Sequence, residues 1–356
     1  MSRIVTLGEI MARFAAPGFQ RFAQCMPGSM EVTFAGAEAN MAVGIAQLGG
    51  EASFVTALPR NPLADACLAN LRALGVDTRH VVRTQDGRMG LFFFEQGVNQ
   101  RAGQVIYDRD GSTMAITPVQ TYDWSEIFKS ASWLMVSGIT PAISRSAAEV
   151  TKSAMMQAQD MGLKVALDIN YRSKLWRWDP AQQPRQLAMQ TLRDLLSHVH
   201  LLIGGPADIA ALRGGDESVQ QTADLTALAT ELCAEFASLR MVAMTRRQGD
   251  DGGSTSFAGL LHLRDEPLSY LAPLQNHGSG WHVVPRIVDR LGAGDAFSAG
   301  LVFALSHPSL NHPQRAISFA TAAGCLAHSI DGDYLQASFD EVHELAGQLA
   351  NGRVRR

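Results

Sequence analysis

The sequence predicts an α/β protein of three layers, α/β/α, with a mostly parallel central sheet and a small β lid beside it. Three observations carry this. Apolar runs of about four or five residues alternate with helix-patterned segments along most of the chain, an order that builds parallel sheets covered on both faces. Residues 88–110 interrupt the alternation with a hairpin pattern. The 356 residues suit one large α/β domain or two modest ones, and no Pro/Ser-rich linker, low-complexity tract or internal repeat divides them. One domain spanning 1–356 is therefore expected, with the lid drawn from about 11–34 and 88–112.

The elements follow in order. Ile4–Leu7 is a buried strand ending at Gly8, and Met11–Phe34, broken by Pro17, Pro27 and several glycines, is irregular. Apolar residues at helical spacing run from Ala37 to Leu48 and stop at Gly49-Gly50. Ser53–Ala57 is a strand, and Pro62–Leu74 is a helix closed by Gly75. Leu91–Glu95 and Gln104–Asp108 form the hairpin, which with Met11–Phe34 makes the lid. Alternation then resumes: strand Trp133–Val136, helix Ser144–Met161, strand Lys164–Leu167, helix Pro184–Ser197, strand Val199–Ile203, helix Val219–Phe236 and strand Met241–Met244. Helices Ala296–Ala304, Pro313–His328 and Phe339–Leu349 complete the chain.

Composition narrows the function. Apolar residues make up 46% and charged residues 18% of the chain, as in ordinary globular proteins. The net charge of -4 argues against general nucleic-acid binding. No run reaches the ~18 apolar residues of a membrane span, and the N-terminal segment carries no signal-like apolar stretch. The four cysteines are far apart and form no CxxC pair, so reduced thiols and a cytoplasmic location are expected.

The chemistry concentrates at Gly292-Ala-Gly-Asp295, directly before a helical segment. A helix start presents free N–H groups and a positive dipole end, and glycines let that backbone approach an anion. A carboxylate among those donors can take a proton from a hydroxyl while the N–H groups stabilise a transferring phosphoryl. On these four residues alone, an aspartate capping the helix after a tight turn is an equally good reading. A dinucleotide-binding site is disfavoured because Phe297 stands at the third glycine position of GxGxxG, and no GxxxxGK[ST] occurs.

Two segments go further. Asp289-Arg-Leu-Gly-Ala-Gly-Asp-Ala-Phe-Ser-Ala-Gly300 resembles the C-terminal signature of the PfkB family of carbohydrate kinases. Phe34-Ala-Gly-Ala-Glu-Ala-Asn40, followed by Gln47-Leu-Gly-Gly50, resembles its N-terminal signature. The pair stands in the family's order and covers essentially the whole chain. The resemblance implies a ribokinase-like fold with the active site between sheet and lid, ATP and Mg2+ as cofactors, and Asp295 as catalytic base. It implies an anion hole from the N–H groups of Gly292, Ala293 and Gly294, with Thr245, Gly292 and Gly294 on the nucleotide side. A homo-oligomer formed through the lid is a further implication, with a small sugar-acid substrate as the partner molecule.

Within that family, four segments resemble 2-keto-3-deoxygluconate kinases: Gly8–Phe22, Val105-Ile-Tyr-Asp-Arg109, Ser137-Gly-Ile-Thr-Pro141 and Asp168-Ile-Asn-Tyr-Arg-Ser-Lys-Leu-Trp176. A sugar acid is best held by arginine forks and backbone amides. The resemblance assigns Arg109 and Arg172 to the substrate, Tyr107 as a hydroxyl donor from the lid, Gly36 and Ala37 as close backbone, and Ile139 as pocket wall. Asn40 reaches the substrate or fixes the loop. Each has a plainer role open to it: surface arginines, a packed tyrosine, a helix-start asparagine. Asp168 and Asn170 can simply shape their loop, and Trp176 and Trp178 can simply pack.

Four departures from the family stand out. Arg290 replaces its usual threonine, as in one subgroup of these kinases. Gly205-Pro206 stands where many members carry an Asn-Glu pair that organises magnesium, leaving Asp208 as the nearby acid and no metal ligand identified. Phe92 stands where some relatives place a tyrosine, and Thr245–Gly253 departs from the common Thr-x-Gly-x-x-Gly pattern. Two alternatives remain: a kinase of the family for fructose, tagatose or ribose, and a degenerate member that binds a sugar or nucleotide without catalysis.

Overall fold

A computed structural model describes residues 3–214, 221–249, 253–274 and 280–347. The expected helix positions 219–220 and 348–349, and residues 250–252 of the Thr245–Gly253 stretch, lie outside the described residues.

In chain order the strands are β1 (Arg3–Leu7), β2 (Met11–Ala15), β3 (Glu31–Ala35), β4 (Ala52–Val55), β5 (Ala57–Pro59), β6 (Val82–Thr84), β7 (Gly90–Glu95) and β8 (Gln104–Asp108). They continue with β9 (Ala131–Ser137), β10 (Lys164–Asp168), β11 (Leu201–Gly204), β12 (Met241–Gln248), β13 (Thr255–Leu263), β14 (Tyr270–Ala272) and β15 (His282–Val284). The central sheet runs β14-β13-β12-β11-β10-β9-β1-β4, with β15 also on β13. From β4 to β12 every neighbour is parallel. The edge beyond β12 is antiparallel.

The parallel strands bury both faces, which is why they read as continuous apolar runs. Ile4 and Ala166 pack into one core with the helices Ala37–Gln47, Pro62–Ala73, Ala293–Ser306 and Pro313–Ala327. Their neighbours Val5, Leu7, Val165 and Leu167 pack into the other, with Arg145–Asp160, Pro184–Leu196 and Thr222–Glu235. The predicted class is thus the observed one. Strand β13 went unrecognised because it is buried on both sides and so shows no period-two alternation.

The second sheet, β3-β2-β7-β8, is the lid. Met11–Phe34, expected to be irregular, contributes two regular strands, because β2 pairs with both β3 and β7. Register places Thr33, Arg13, Phe92 and Tyr107 side by side on one face and Val32, Phe14, Phe93 and Ile106 on the other. The first face looks toward the body of the molecule.

The helix after the glycine turn begins at Ala293, three residues before the expected Ala296. Gly292 is its N-cap, at φ 79° in the left-handed region. A Cβ at Gly292 would stand 1.9 Å from the Asp333 carbonyl oxygen, so only glycine fits. Asp295 therefore sits within the first turn, and the capping role is excluded. Among the described residues no helix is long and apolar enough to cross a membrane.

Candidate active site

In open α/β sheets the ends of parallel strands leave a crevice where ligands bind. Here β1 ends at Gly8 and delivers Glu9, β9 delivers Ile139, and β10 delivers Asp168, Asn170 and Arg172. Strand β11 leads to Gly205 and Asp208, and β12 carries Thr245. Two adjoining cavities occupy the crevice. Gly36, Ala37, Asn40, Tyr107, Arg109, Ile139 and Arg172, every residue expected on the substrate, line the one beneath the lid. The other, of about 520 Å3, is lined by Thr245, Asp208, Arg247, Arg290 and Gly294. Both are lined by Asn170, Arg172, Leu291, Gly292 and Asp295. Ala293 begins the helix at this junction, and its N–H, with those of Gly294 and Asp295, has no acceptor within the helix.

Asp295 is 7% exposed and held by two amides. Asn40 Nδ2 donates to Oδ2 at 2.7 Å, and Asn170 Nδ2 approaches Oδ1 at 3.4 Å. Asn170 reaches it from a left-handed backbone conformation, φ 38°, which asparagine tolerates better than most residues. Gly36 donates its N–H to Asn40 Oδ1 at 3.2 Å. A Cβ at Gly36 would lie 2.1 Å from the Glu9 carbonyl oxygen, so a glycine is required there too.

Burial raises the Asp295 carboxyl to about 6, against the lowering effect of the Asn40 hydrogen bond and the Arg172 charge. Asp168, below it, is raised to about 7 by burial and then by the Asp295 charge, while the Ser298 hydroxyl donating at 2.8 Å works the other way. Like charges so close resist ionising together. Asp295, with two amide donors, is the better-stabilised anion of the two. Asp208 is also raised, chiefly by burial.

The two expected arginines differ. Arg109 is 6% exposed, ion-paired with buried Glu9, and lies 5.6 Å from the Tyr107 ring centre. Its charge is already balanced at the cavity wall. Arg172 is exposed, and its Nη1 makes a long 3.4 Å contact to the Tyr171 carbonyl. It is the cation that a bound anion would meet. Trp176 is fully buried and Trp178 donates to the Pro141 carbonyl at 3.0 Å, so both pack. Phe92 lines the substrate-side cavity, 6.2 Å from Tyr107 between ring centres.

The sequence assigns no role to three residues of this region. Glu9 and Asp333 line the cavity from loops with no periodic pattern. Glu38 is wholly buried, accepting from Ser137 N, Ser137 Oγ and Thr140 Oγ1 at 3.0, 2.7 and 2.9 Å. It fixes the loop that presents Ile139. A lone acid on an otherwise apolar helix was its available signal. For Asn170, a loop-shaping role and a functional one are both open in the sequence, and its reach to Asp295 is a tertiary fact.

Residues 1–336 match the model of the pfkB family carbohydrate kinases. The chain is 30% identical to a 2-dehydro-3-deoxygalactonokinase of Haloferax volcanii, over 97% of this chain and 96% of that protein. It is 27% identical to a 2-dehydro-3-deoxygluconokinase of Bacillus subtilis, over 84% and 81%. The crystal structure of 2-dehydro-3-deoxygluconokinase from Thermotoga maritima superposes with a TM-score of 0.87 at 32% identity, covering 98% of this chain and all of that one.

Proposed function

The chain belongs to the pfkB family of carbohydrate kinases, and on that premise we propose that it phosphorylates the terminal hydroxyl of a 2-keto-3-deoxy sugar acid, 2-keto-3-deoxygluconate first, using ATP and Mg2+. One observation carries this reading: Asp295 stands where an arginine-bearing cavity meets a turn of free backbone N–H groups.

The residues divide the work. Arg172, with the Arg109–Glu9 pair behind it, attracts the substrate carboxylate, while Tyr107 offers a hydroxyl from the lid. Gly36 and Ala37 keep the wall close to the sugar. Asp295 accepts the proton of the attacking hydroxyl, held in line by Asn40 and Asn170. The N–H groups of Gly292, Ala293 and Gly294 receive the charge that develops on the transferring phosphoryl. Thr245, with Arg247 and Arg290 beside it, faces the nucleotide.

Among the described residues no group of three or more His, Cys, Asp or Glu is placed to hold a metal. Gly205-Pro206 offers no carboxylate, and Asp168 and Asp208 join Asp295 as the acids on the nucleotide-side wall. That donor set suits an ion carried mainly by phosphate oxygens and water, which Mg2+ accepts. When bound, Mg2+ would neutralise phosphate charge.

The kinase works as one domain with the lid at 11–34 and 88–112. The outer lid face, where Val32 and Ile106 are 51% and 47% exposed beside stacked Phe14 and Phe93, favours pairing with a second copy. A cytoplasmic setting suits the free thiols Cys25, Cys67, Cys233 and Cys325.

Coupled ADP release over a panel of 2-keto-3-deoxygluconate, its galactonate counterpart, fructose, tagatose and ribose tests the reading. Higher kcat/KM for either sugar acid is expected. A neutral sugar preferred over both would overturn it, and binding without turnover of any sugar would favour the non-catalytic alternative.

A further inference from the structure

The lid strand β2 sends one charged side chain inward, and it does not touch the substrate-side cavity. Arg13 is buried, its side chain 5% exposed, with its Cζ 4.9 Å from the Phe94 ring centre. Its Nη2 donates to Asp289 Oδ2 at 2.7 Å, and its Nη1 to Asp333 Oδ1. Those two aspartates stand at either side of the phosphoryl-binding turn. Asp289 Oδ1 accepts the N–H groups of Arg290 and Leu291 at 2.7 and 3.0 Å, and Oδ2 that of Gly332 at 3.3 Å. Asp333 presses its carbonyl against Gly292, where a Cβ would clash at 1.9 Å.

We propose that Arg13 is a positioning residue that ties the lid to the anion-binding turn 290–294 by holding both of the aspartates that flank it. This rests on the kinase reading for its consequence but not for its geometry. A buried ion pair is a poor source of stability, because desolvation offsets the attraction. Such a group earns its place by fixing a geometry. The planar guanidinium can address two carboxylates at once from a rigid fork, whereas an ammonium is a single point charge that matches one of them poorly. Burial raises the Asp333 carboxyl to about 7, and the Arg13 charge opposes that rise.

Two variants test this in the full chain, Arg13→Lys and Asp333→Asn. Both keep the buried charge close to balance, and either alone suffices if the other fails to fold. Hydrogen exchange of the peptide covering 289–296 needs no turnover and is the first readout. It is expected to rise about tenfold in each variant, with the central strands unchanged. The second readout is kinetic and is taken in Arg13→Lys, because Asp333 itself lines the substrate-side cavity: kcat falls about tenfold or more while the sugar Kd, by titration calorimetry, stays within about threefold. Unchanged exchange at 289–296, or an equal rise throughout the chain, overturns the proposal. If the unaltered protein turns over no sugar, the kinase reading fails and the exchange result still decides the role of Arg13.

Discussion

Asn40 Nδ2 lies 2.7 Å from Asp295 Oδ2, across 255 residues of sequence. The Gly36 N–H bonded to Asn40 Oδ1 fixes which end of the amide faces the carboxylate. The hydrogen bond joins the two glycine-rich segments on which the functional reading was built, and it leaves Asp295 able to accept a proton at the junction of two cavities.

Replacing Asp295 with asparagine keeps the shape and removes the base. We expect kcat to fall by about 10^2–10^4 with the sugar Kd changed little. Near-normal turnover in that variant, measured by ADP release, would remove Asp295 from the mechanism.

The raised carboxyl predicts an acid limb. Asp295 must be ionised to act, so kcat/KM should rise with pH through about 6. Asn40 stabilises the charged form, so Asn40→Ala should move the limb to higher pH and cost most activity on the acid side. A limb near the ordinary aspartate value in the parent, or one that does not move in the variant, contradicts this assignment.

Arg172 is the exposed cation at both cavities, whereas Arg109 is balanced by Glu9. Arg172→Met should raise KM for a sugar acid by about 10–100-fold, the range for a lost charged hydrogen bond. A neutral ketose, having no carboxylate, should be affected far less. Equal losses for both would mean that Arg172 serves the phosphates or the loop instead.

Glu38 offers a stability test away from catalysis. Burial raises its carboxyl to about 7, although Ser137 and Thr140 donate to it. Because the folded value lies above the unfolded one, its contribution is full at low pH and is lost as pH rises toward about 7. Glu38→Gln should therefore flatten the dependence of Tm on pH and gain on the order of 1–3 kcal/mol at pH 8 relative to pH 5. Parallel Tm–pH curves for variant and parent would show that Glu38 ionises freely.

The outer lid row can be charged without touching the site. Phe93→Lys should convert an oligomer to monomer by light scattering, since a buried unpaired charge in an apolar interface costs several kcal/mol. A parent protein that is monomeric at all concentrations removes the lid contact.

Fold class was legible in the chain alone, because strands buried on both faces and helices with one apolar face leave patterns that survive in one dimension. The glycines around Asp295 were legible too, because positions 36 and 292, where another chain segment leaves no room for a Cβ, admit no other residue and so mark the sequence. Tertiary structure decided the rest. Whether Asp295 caps a helix or faces a cavity turned on where the helix begins, and it begins at Ala293 with Gly292 as the N-cap. The partners of the charged groups were equally hidden: Arg109 with Glu9, Arg13 with Asp289 and Asp333, and Asn170 with Asp295 are all contacts between segments distant in sequence. A side chain's type is written in the chain, but its desolvation and its nearest charge exist only once the chain has folded around it.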